Sequence, residues 1–145
     1  MYKIELRHNF ETAHRLSHKD APKKCRSIHG HSWWVKATLG AEELDELGMV
    51  LEFGAFKKAW RGFLDEKIDH HLVLSAGDPM AEAIRRVDAE ARILVLPTDP
   101  TTEVLAAWLF ERTVEILRTL DTNARLLKID VQETAVNAAS FESSL

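Results

Sequence analysis

Hydrophobic and polar residues alternate at the start of the chain, which is the pattern of a strand with one buried face. A second alternating stripe follows a short polar loop. The first stripe consists of Tyr2, Ile4, Leu6, His8, Phe10, Thr12 and His14, and the second of His29, His31, Trp33, Val35, Ala37 and Leu39. Strands that follow each other in sequence pair most simply as an antiparallel hairpin, so the end of the first stripe should lie beside the start of the second.

Two later segments carry apolar residues at intervals of three and four, which is the spacing of an amphipathic helix. The first begins near Phe53, after a short extended piece from Gly48. The second begins at Asp99-Pro100, which predicts an N-cap followed by proline at the first helical position, and should end near residue 120. Between these two main helices, the pattern indicates a short helix over residues 78–90 and a brief extended run over 92–96.

A further strand is predicted near the C-terminus, where Leu127, Ile129 and Val131 form an inward stripe. Continuing the alternation places Glu133 at its end, which is a costly position for a carboxylate unless it is paired. Either the strand has already reached the surface there, or a bulge turns Glu133 outward, or Glu133 anchors a ligand. The first two strands also end in functional side chains, so one pocket at one edge of the sheet would explain all three.

The composition is that of one soluble globular domain spanning residues 1–145, with 46% hydrophobic and 29% charged residues. The N-terminus alternates with charges and lacks the apolar block of a signal peptide, and no apolar run is long enough to cross a membrane. These features predict a cytoplasmic protein without a membrane partner. The single cysteine, Cys25, cannot form an internal disulfide.

The net charge of −4 argues against a nucleic-acid partner, because such proteins normally carry an excess of basic residues. One loop has the opposite character. Five basic residues stand there against the single acid Asp20: Arg15, Lys19, Lys23, Lys24 and Arg26. This loop is either simply solvated or attracts a small anionic substrate toward the residues that follow it.

A metal site is predicted where the two N-terminal strands meet. His29 and His31 point to the same side of a strand, and the hairpin brings His14 beside them. Three neutral histidines would leave the fourth position of zinc open, as a catalytic site requires. If Cys25 were a fourth ligand, the site would be closed and structural. Otherwise the thiol is either a base or nucleophile favoured as a thiolate by the nearby positive charge, or a small buried hydrophobe.

Five short motifs are spread over nearly the whole chain: Phe10-Glu-Thr-Ala-His14, Cys25-x-x-x-His29-Gly-His31, Asp69-His70-His71, Pro100-Thr101-Thr102-Glu103 and Gln132-Glu133-Thr134. In this order and approximate spacing they resemble the motifs of the 6-pyruvoyltetrahydropterin synthase and 6-carboxytetrahydropterin synthase family. Each motif alone is a weak signal. The side chains of Asp69 and His70, for example, are adjacent in sequence and need not point to the same side. Their combination is far more specific.

The resemblance implies a role for each matching residue. The zinc ligands would be His14, His29 and His31, and Cys25 would be the base that removes a proton from the substrate. Asp69 with His70 would relay a second proton. Glu133 would anchor the guanidine-like edge of a pterin and is sometimes counted with the relay. Thr101 and Thr102 match positions that help to hold the pterin ring.

The resemblance also implies an α+β T-fold, in which a four-stranded antiparallel sheet carries two main helices on one face. Three such sheets would close into a barrel, and two trimers would stack as a homohexamer with pockets between subunits. Closure of the barrel would remove exposed sheet edges.

Within this family, the gap of three residues between Cys25 and His29 resembles the bacterial carboxy-forming enzymes of queuosine biosynthesis. These are zinc-dependent lyases that convert 7,8-dihydroneopterin triphosphate to 6-carboxy-5,6,7,8-tetrahydropterin, acetaldehyde and triphosphate. The alternatives are a pyruvoyl-forming synthase, which retains the substrate side chain, and a catalytically silent zinc-binding protein. The stretch from Leu74 to Pro97 is longer than the corresponding connection in compact members and could reshape the pocket mouth.

Overall fold

The computed structural model describes residues 1–144, which form six strands and four helices around a single sheet. The strands are β1 (Tyr2–His14), β2 (His29–Ala41), β3 (Leu72–Ser75), β4 (Ile93–Leu96), β5 (Arg125–Gln132) and β6 (Ala138–Glu142). The helices are α1 (Lys23–Arg26), α2 (Phe53–Lys67), α3 (Met80–Val87) and α4 (Thr102–Leu117). None of the helices within residues 1–144 is both long and apolar enough to cross a membrane.

The predicted N-terminal hairpin is confirmed. Strands β1 and β2 pair in antiparallel fashion along their whole length, from Tyr2 opposite Ala41 to His14 opposite His29. Strand β5 pairs with the other side of β2, also in antiparallel fashion. Because His14 and His29 are direct partners in this register, the hairpin itself brings the ends of the two alternating stripes together.

The expected four-stranded antiparallel sheet is wrong in strand number and in direction. The sheet has six strands in the order β4-β3-β1-β2-β5-β6, and both the β1–β3 and β3–β4 pairs are parallel. The short helix and extended run predicted between the main helices are confirmed as α3 and β4. Together with β3 they form a strand-helix-strand unit, because parallel strands require a crossover connection.

The two main helices α2 and α4 share one apolar core with the sheet. This core contains Phe10 and Trp33, whose rings stack at 6.0 Å, together with Trp60 from α2 and Leu109 from α4. All four side chains are almost completely buried. The alternation of β1 therefore places Thr12 and His14 on the side of the sheet that the helices cover.

Helix α4 begins later than its sequence predicts. The N-cap is Thr101, whose hydroxyl accepts a hydrogen bond from the Val104 amide, and the helix ends at Leu117. The predicted cap, Asp99, instead accepts hydrogen bonds from the Ser17 amide and hydroxyl and from the His18 amide. Since those donors would otherwise lie without a partner in the loop after β1, Asp99 connects this loop to the start of α4.

Candidate functional site

Three histidines converge at the end of the β1–β2 hairpin. The ring centroids of His14 and His29 are 4.6 Å apart, those of His14 and His31 are 5.2 Å apart, and those of His29 and His31 are 5.0 Å apart. One nitrogen from each ring lies within 4.8 Å of the others. This convergence follows from the strand register, which sets His14 opposite His29 and leaves His31 on the same side.

The chemistry of these three rings fits a zinc ion. His14 Nδ1 lies 2.8 Å from the Pro100 carbonyl, and His29 Nδ1 lies 2.7 Å from the Ser27 carbonyl. Because a carbonyl only accepts, each Nδ1 carries the proton and each Nε2 keeps a free lone pair. The Nε2 atoms of His14 and His31 are buried without a hydrogen-bond partner in the part of the chain described. A buried polar atom of this kind is costly, and a cation shared by the three rings would satisfy it.

Burial also keeps two of these imidazoles in the form that binds metal. Removal from solvent lowers the pKa of His14, and the neighbouring His29 and His31 lower it further, although the bond to Pro100 acts in the opposite direction. Burial likewise lowers the pKa of His31, against the raising effect of Glu133. The folded chain therefore holds both rings neutral at a pH where free histidine is already partly protonated.

A cavity of ≈ 200 Å³ opens beside the histidines. His14 and His29 line it together with most of the other predicted site residues, namely Cys25, Thr101, Thr102 and Glu133. The cavity thus contains candidate groups for binding a metal, moving a proton and holding a polar ligand.

Glu133 lies just after β5 and faces this cavity, so neither of the outward orientations considered for it occurs. Its Oε2 accepts a hydrogen bond of 2.7 Å from the Thr102 hydroxyl, and its Oε1 lies 3.7 Å from His31 Nε2. Thr102 is the first residue of α4. One carboxylate oxygen is therefore held by the protein, while the other remains available to a donor on a ligand.

Cys25 lies in the short helix α1 and its side chain is half-buried. The backbone of this turn is tied to the residue after β1, since the Cys25 carbonyl accepts a hydrogen bond of 2.8 Å from the Leu16 amide. Within the described residues, the group that could hold a metal consists of the three histidines without Cys25. This arrangement favours a free thiol over a fourth zinc ligand.

Asp69 and His70 are not among the residues that line the cavity, and they lie beside Glu11 near the end of β1. Asp69 Oδ1 accepts a hydrogen bond of 2.8 Å from the Glu11 amide, and the His70 amide donates to the Glu11 carbonyl at 2.7 Å. Burial raises the pKa of Asp69, but the bonds from Glu11 and His70 outweigh it, so the net pKa is lowered. The His70 ring bonds Asp69 Oδ2 at 2.8 Å, and its side chain is 72% exposed.

The backbone at His70 has a positive φ of 56°, which is uncommon for a residue with a side chain. Two hydrogen bonds to the Glu11 backbone hold this conformation, one to the Asp69 carboxylate and one from the His70 amide. Asp69 and His70 thus contact each other, but neither residue lines the cavity of their own chain, and their proton relay stays a prediction.

Several groups at the site were not predicted from the sequence. Leu16 and Glu103 also line the cavity, and the carbonyls of Ser27 and Pro100 orient two of the imidazoles. Glu103 belongs to the Pro100-Thr101-Thr102-Glu103 motif but received no role, because an acid in the first turn of a helix is common for electrostatic reasons alone. Backbone carbonyls carry no signal at all in a sequence.

The basic loop is divided between two roles. Arg15 forms an ion pair with the buried Asp78. Lys19, Lys23, Lys24 and Arg26 are exposed. These four cations form no ion pair within residues 1–144 and could attract an anion to the cavity beside the loop.

The histidine cluster predicts an acid-labile fold for the metal-free protein. Because the unfolded chain takes up protons near pH 6.5 while folded His14 and His31 resist them, stability should be full above that pH and be lost as the pH falls below it. The urea midpoint should drop between pH 7.5 and pH 5.5, and this drop should shrink in a variant with His14→Gln and His31→Gln. A His18→Gln variant, altered at an exposed histidine, should behave as wild type. Equal pH dependence in all three proteins would contradict the assignment.

Comparison with known proteins identifies relatives over most of the chain. Residues 3–144 match the family model described as 6-pyruvoyl tetrahydropterin synthase. A 6-carboxy-5,6,7,8-tetrahydropterin synthase from Rickettsia bellii is 33% identical, covering 88% of this chain and 94% of its own length. One of the same name from Aquifex aeolicus is 30% identical, covering 86% and 80%.

Solved structures share the fold. An uncharacterized protein from Wolinella succinogenes superimposes with a TM-score of 0.82 at 22% identity, over 99% of this chain and 98% of its own. The 6-pyruvoyl tetrahydropterin synthase of Caenorhabditis elegans gives a TM-score of 0.71 at 22% identity, over 99% and 96%. The β3-α3-β4 unit is therefore part of a fold that aligns along its whole length with these structures.

Proposed function

The chain belongs to the 6-pyruvoyl tetrahydropterin synthase family, and from that premise we propose the reaction that this enzyme performs. It converts 7,8-dihydroneopterin triphosphate and one water molecule to 6-carboxy-5,6,7,8-tetrahydropterin, acetaldehyde and triphosphate. The observation that carries the proposal is the three-histidine cluster beside Cys25 and Glu133 in one cavity. The short gap between Cys25 and His29, together with the names of the similar bacterial proteins, favours the carboxy product and a place in queuosine biosynthesis.

Zinc is the proposed metal, held by His14, His29 and His31. When bound, it would supply positive charge that makes protons on the neighbouring substrate carbon more acidic. The carbonyls of Pro100 and Ser27 would fix the ring orientations of His14 and His29, as partners of metal-binding histidines commonly do.

Glu133 and Thr102 would orient the pterin. The Thr102 hydroxyl holds one carboxylate oxygen of Glu133 and leaves the other for an N–H group on the guanidine-like edge of the ring. Thr101 lies beside them at the start of α4 and lines the same cavity. The exposed cations of the basic loop would attract the triphosphate.

Proton transfer would be divided between two groups. Cys25, half-buried at the edge of the cavity, would take a proton from the substrate side chain as a thiolate. His70, kept in orientation by Asp69, would handle the second proton. Since His70 lies outside the cavity of its own chain, we propose that a neighbouring copy in a homohexamer supplies it.

Mass spectrometry of the product tests the reaction directly. Zinc-loaded protein incubated with 7,8-dihydroneopterin triphosphate should release acetaldehyde and yield the carboxytetrahydropterin mass, and prior removal of the metal by a chelator should stop both. A product that keeps the three-carbon side chain would identify a pyruvoyl-forming synthase instead. Unchanged substrate in the presence of bound zinc would contradict both reactions and identify a silent zinc-binding protein.

A further inference from the structure

An ion pair outside the cavity connects the long segment between α2 and α4 to the turn that carries Cys25. The side chain of Asp78, just before α3, is completely buried. Its two oxygens accept hydrogen bonds from Arg15, at 2.7 Å from Nε and 2.9 Å from Nη2. A two-point contact of this kind fixes the plane of the guanidinium group as well as its position.

The remaining arm of Arg15 reaches the Cys25 turn. Its Nη1 donates to the Arg26 carbonyl at 3.2 Å, and the next residue, Leu16, donates its amide to the Cys25 carbonyl at 2.8 Å. Arg15 and Leu16, the two residues after His14, thus hold the carbonyls of Arg26 and Cys25. None of the residues of α1 is buried, and the Cys25 and Arg26 amides donate only within the turn, to the Pro22 carbonyl.

Asp78 is itself fixed by its surroundings. Its Oδ1 also accepts a hydrogen bond of 2.9 Å from the Met80 amide at the start of α3. The bonds from Arg15 lower the pKa of Asp78 most, so the carboxylate stays charged despite its burial. Asp99, a second acid that contacts this loop, accepts hydrogen bonds from Ser17 and His18 and none from the Cys25 turn within the described residues.

We propose that Asp78 is a positioning residue, which holds the Cys25 turn in place over the cavity through Arg15. The consequence for activity rests on the proposed function, because it assumes that Cys25 acts on the substrate. The strand-helix-strand unit thereby acquires a role: it supplies the carboxylate to which the reactive turn is anchored.

The Asp78→Asn variant tests this proposal, because asparagine preserves the shape and the bond from Met80 but loses the charge. Once the turn is released, iodoacetamide should alkylate the Cys25 thiol of the metal-free protein at least about threefold faster than in wild type. In the zinc-loaded enzyme, kcat should fall by about tenfold or more with KM within about twofold, since small misplacements of a reacting group are costly.

A second variant covers the case in which Asp78→Asn does not fold. Arg15→Lys keeps a positive charge beside Asp78 but cannot bond both its oxygens and the Arg26 carbonyl together. This variant should also be alkylated faster and have a lower kcat. If Arg15 served only to attract the anionic substrate, the positive charge of lysine would preserve that role and kcat would be unchanged.

Two controls separate positioning from general destabilisation. Glu82→Gln breaks an exposed ion pair with Arg86 on α3 and should leave both rates unchanged. Leu117→Ala destabilises the core at the far end of α4, away from the Cys25 turn. At a urea midpoint equal to that of the test variants, its alkylation rate measures the effect of global unfolding alone. The proposal would be overturned if Asp78→Asn and Arg15→Lys were alkylated less than about threefold faster than wild type, or no faster than the matched Leu117→Ala control.

The two proposals fail in different ways. If the wild-type enzyme released no acetaldehyde and no tetrahydropterin product, the proposed function would fall, while alkylation of the metal-free variants would still decide whether Asp78 holds the turn. If the product formed but alkylation and kcat were unchanged in both variants, the positioning role alone would fall.

Discussion

Replacing Cys25 with alanine should lower turnover by about 10²–10⁴-fold, which is the usual contribution of a general base. The bound zinc should remain, because the three histidines form the metal-binding group without Cys25. The fold should also persist, since the side chain is only half-buried and lies in a turn without buried residues. Activity and metal content are therefore expected to separate in this variant.

Turnover from the rate of acetaldehyde release, and zinc per chain from metal analysis, measure these two quantities on the same sample. Cys25→Ser provides a second variant of similar size with a much weaker base at neutral pH. Loss of zinc together with activity would show instead that the thiol is a fourth ligand and that the site is closed. Titration of the wild-type thiol would then reveal it only after a chelator removes the metal.

The sequence predicted the hairpin that builds the metal site because alternation is a local signal. Both β1 and β2 have thirteen residues, and their stripes place every core residue on one side. The pairing of His14 with His29 follows once the strands are antiparallel and joined by one loop. The three-histidine cluster could therefore be predicted without knowledge of the rest of the fold.

The short strands gave no such signal. Strand β3 is the run Leu72-Val-Leu-Ser, in which three of four residues are buried, so no alternation marks it. Strand β6 is mostly exposed, and its sequence is dominated by small residues. The parallel direction of β3 and β4 depends on the path of α3 across the sheet, which is a property of tertiary packing and not of either strand.

The details of the cavity depend on hydrogen bonds that residue types do not reveal. Asp99 and Thr101 are both suitable helix caps, and the sequence alone favoured the first because proline follows it. The loop after β1 instead donates to Asp99, Thr101 caps the helix, and the Thr102 hydroxyl donates to Glu133. These contacts depend on where the loop after β1, the start of α4 and the end of β5 lie in the fold, which residue types alone do not reveal.

The position of His70 leads to the second large effect, which concerns assembly. His70 is held beside Glu11, three residues before His14 on β1, and a strand advances about 3.3 Å per residue. Neither His70 nor Asp69 lines the cavity that contains Cys25 in the same chain. In the proposed homohexamer both groups would act on one substrate from different subunits, so subunits that are inactive alone should complement each other.

Cys25→Ala and His70→Ala proteins should each be almost inactive, and a mixed assembly of the two should regain activity. Equal amounts joined at random should restore about a quarter of the wild-type rate, because a working site takes Cys25 from one kind of subunit and His70 from the other. The two proteins can be produced together with different tags and purified through both, with each unmixed variant as its own control. Mixed assemblies as inactive as the single variants would show that each chain uses its own His70, since such a site would then never contain both groups.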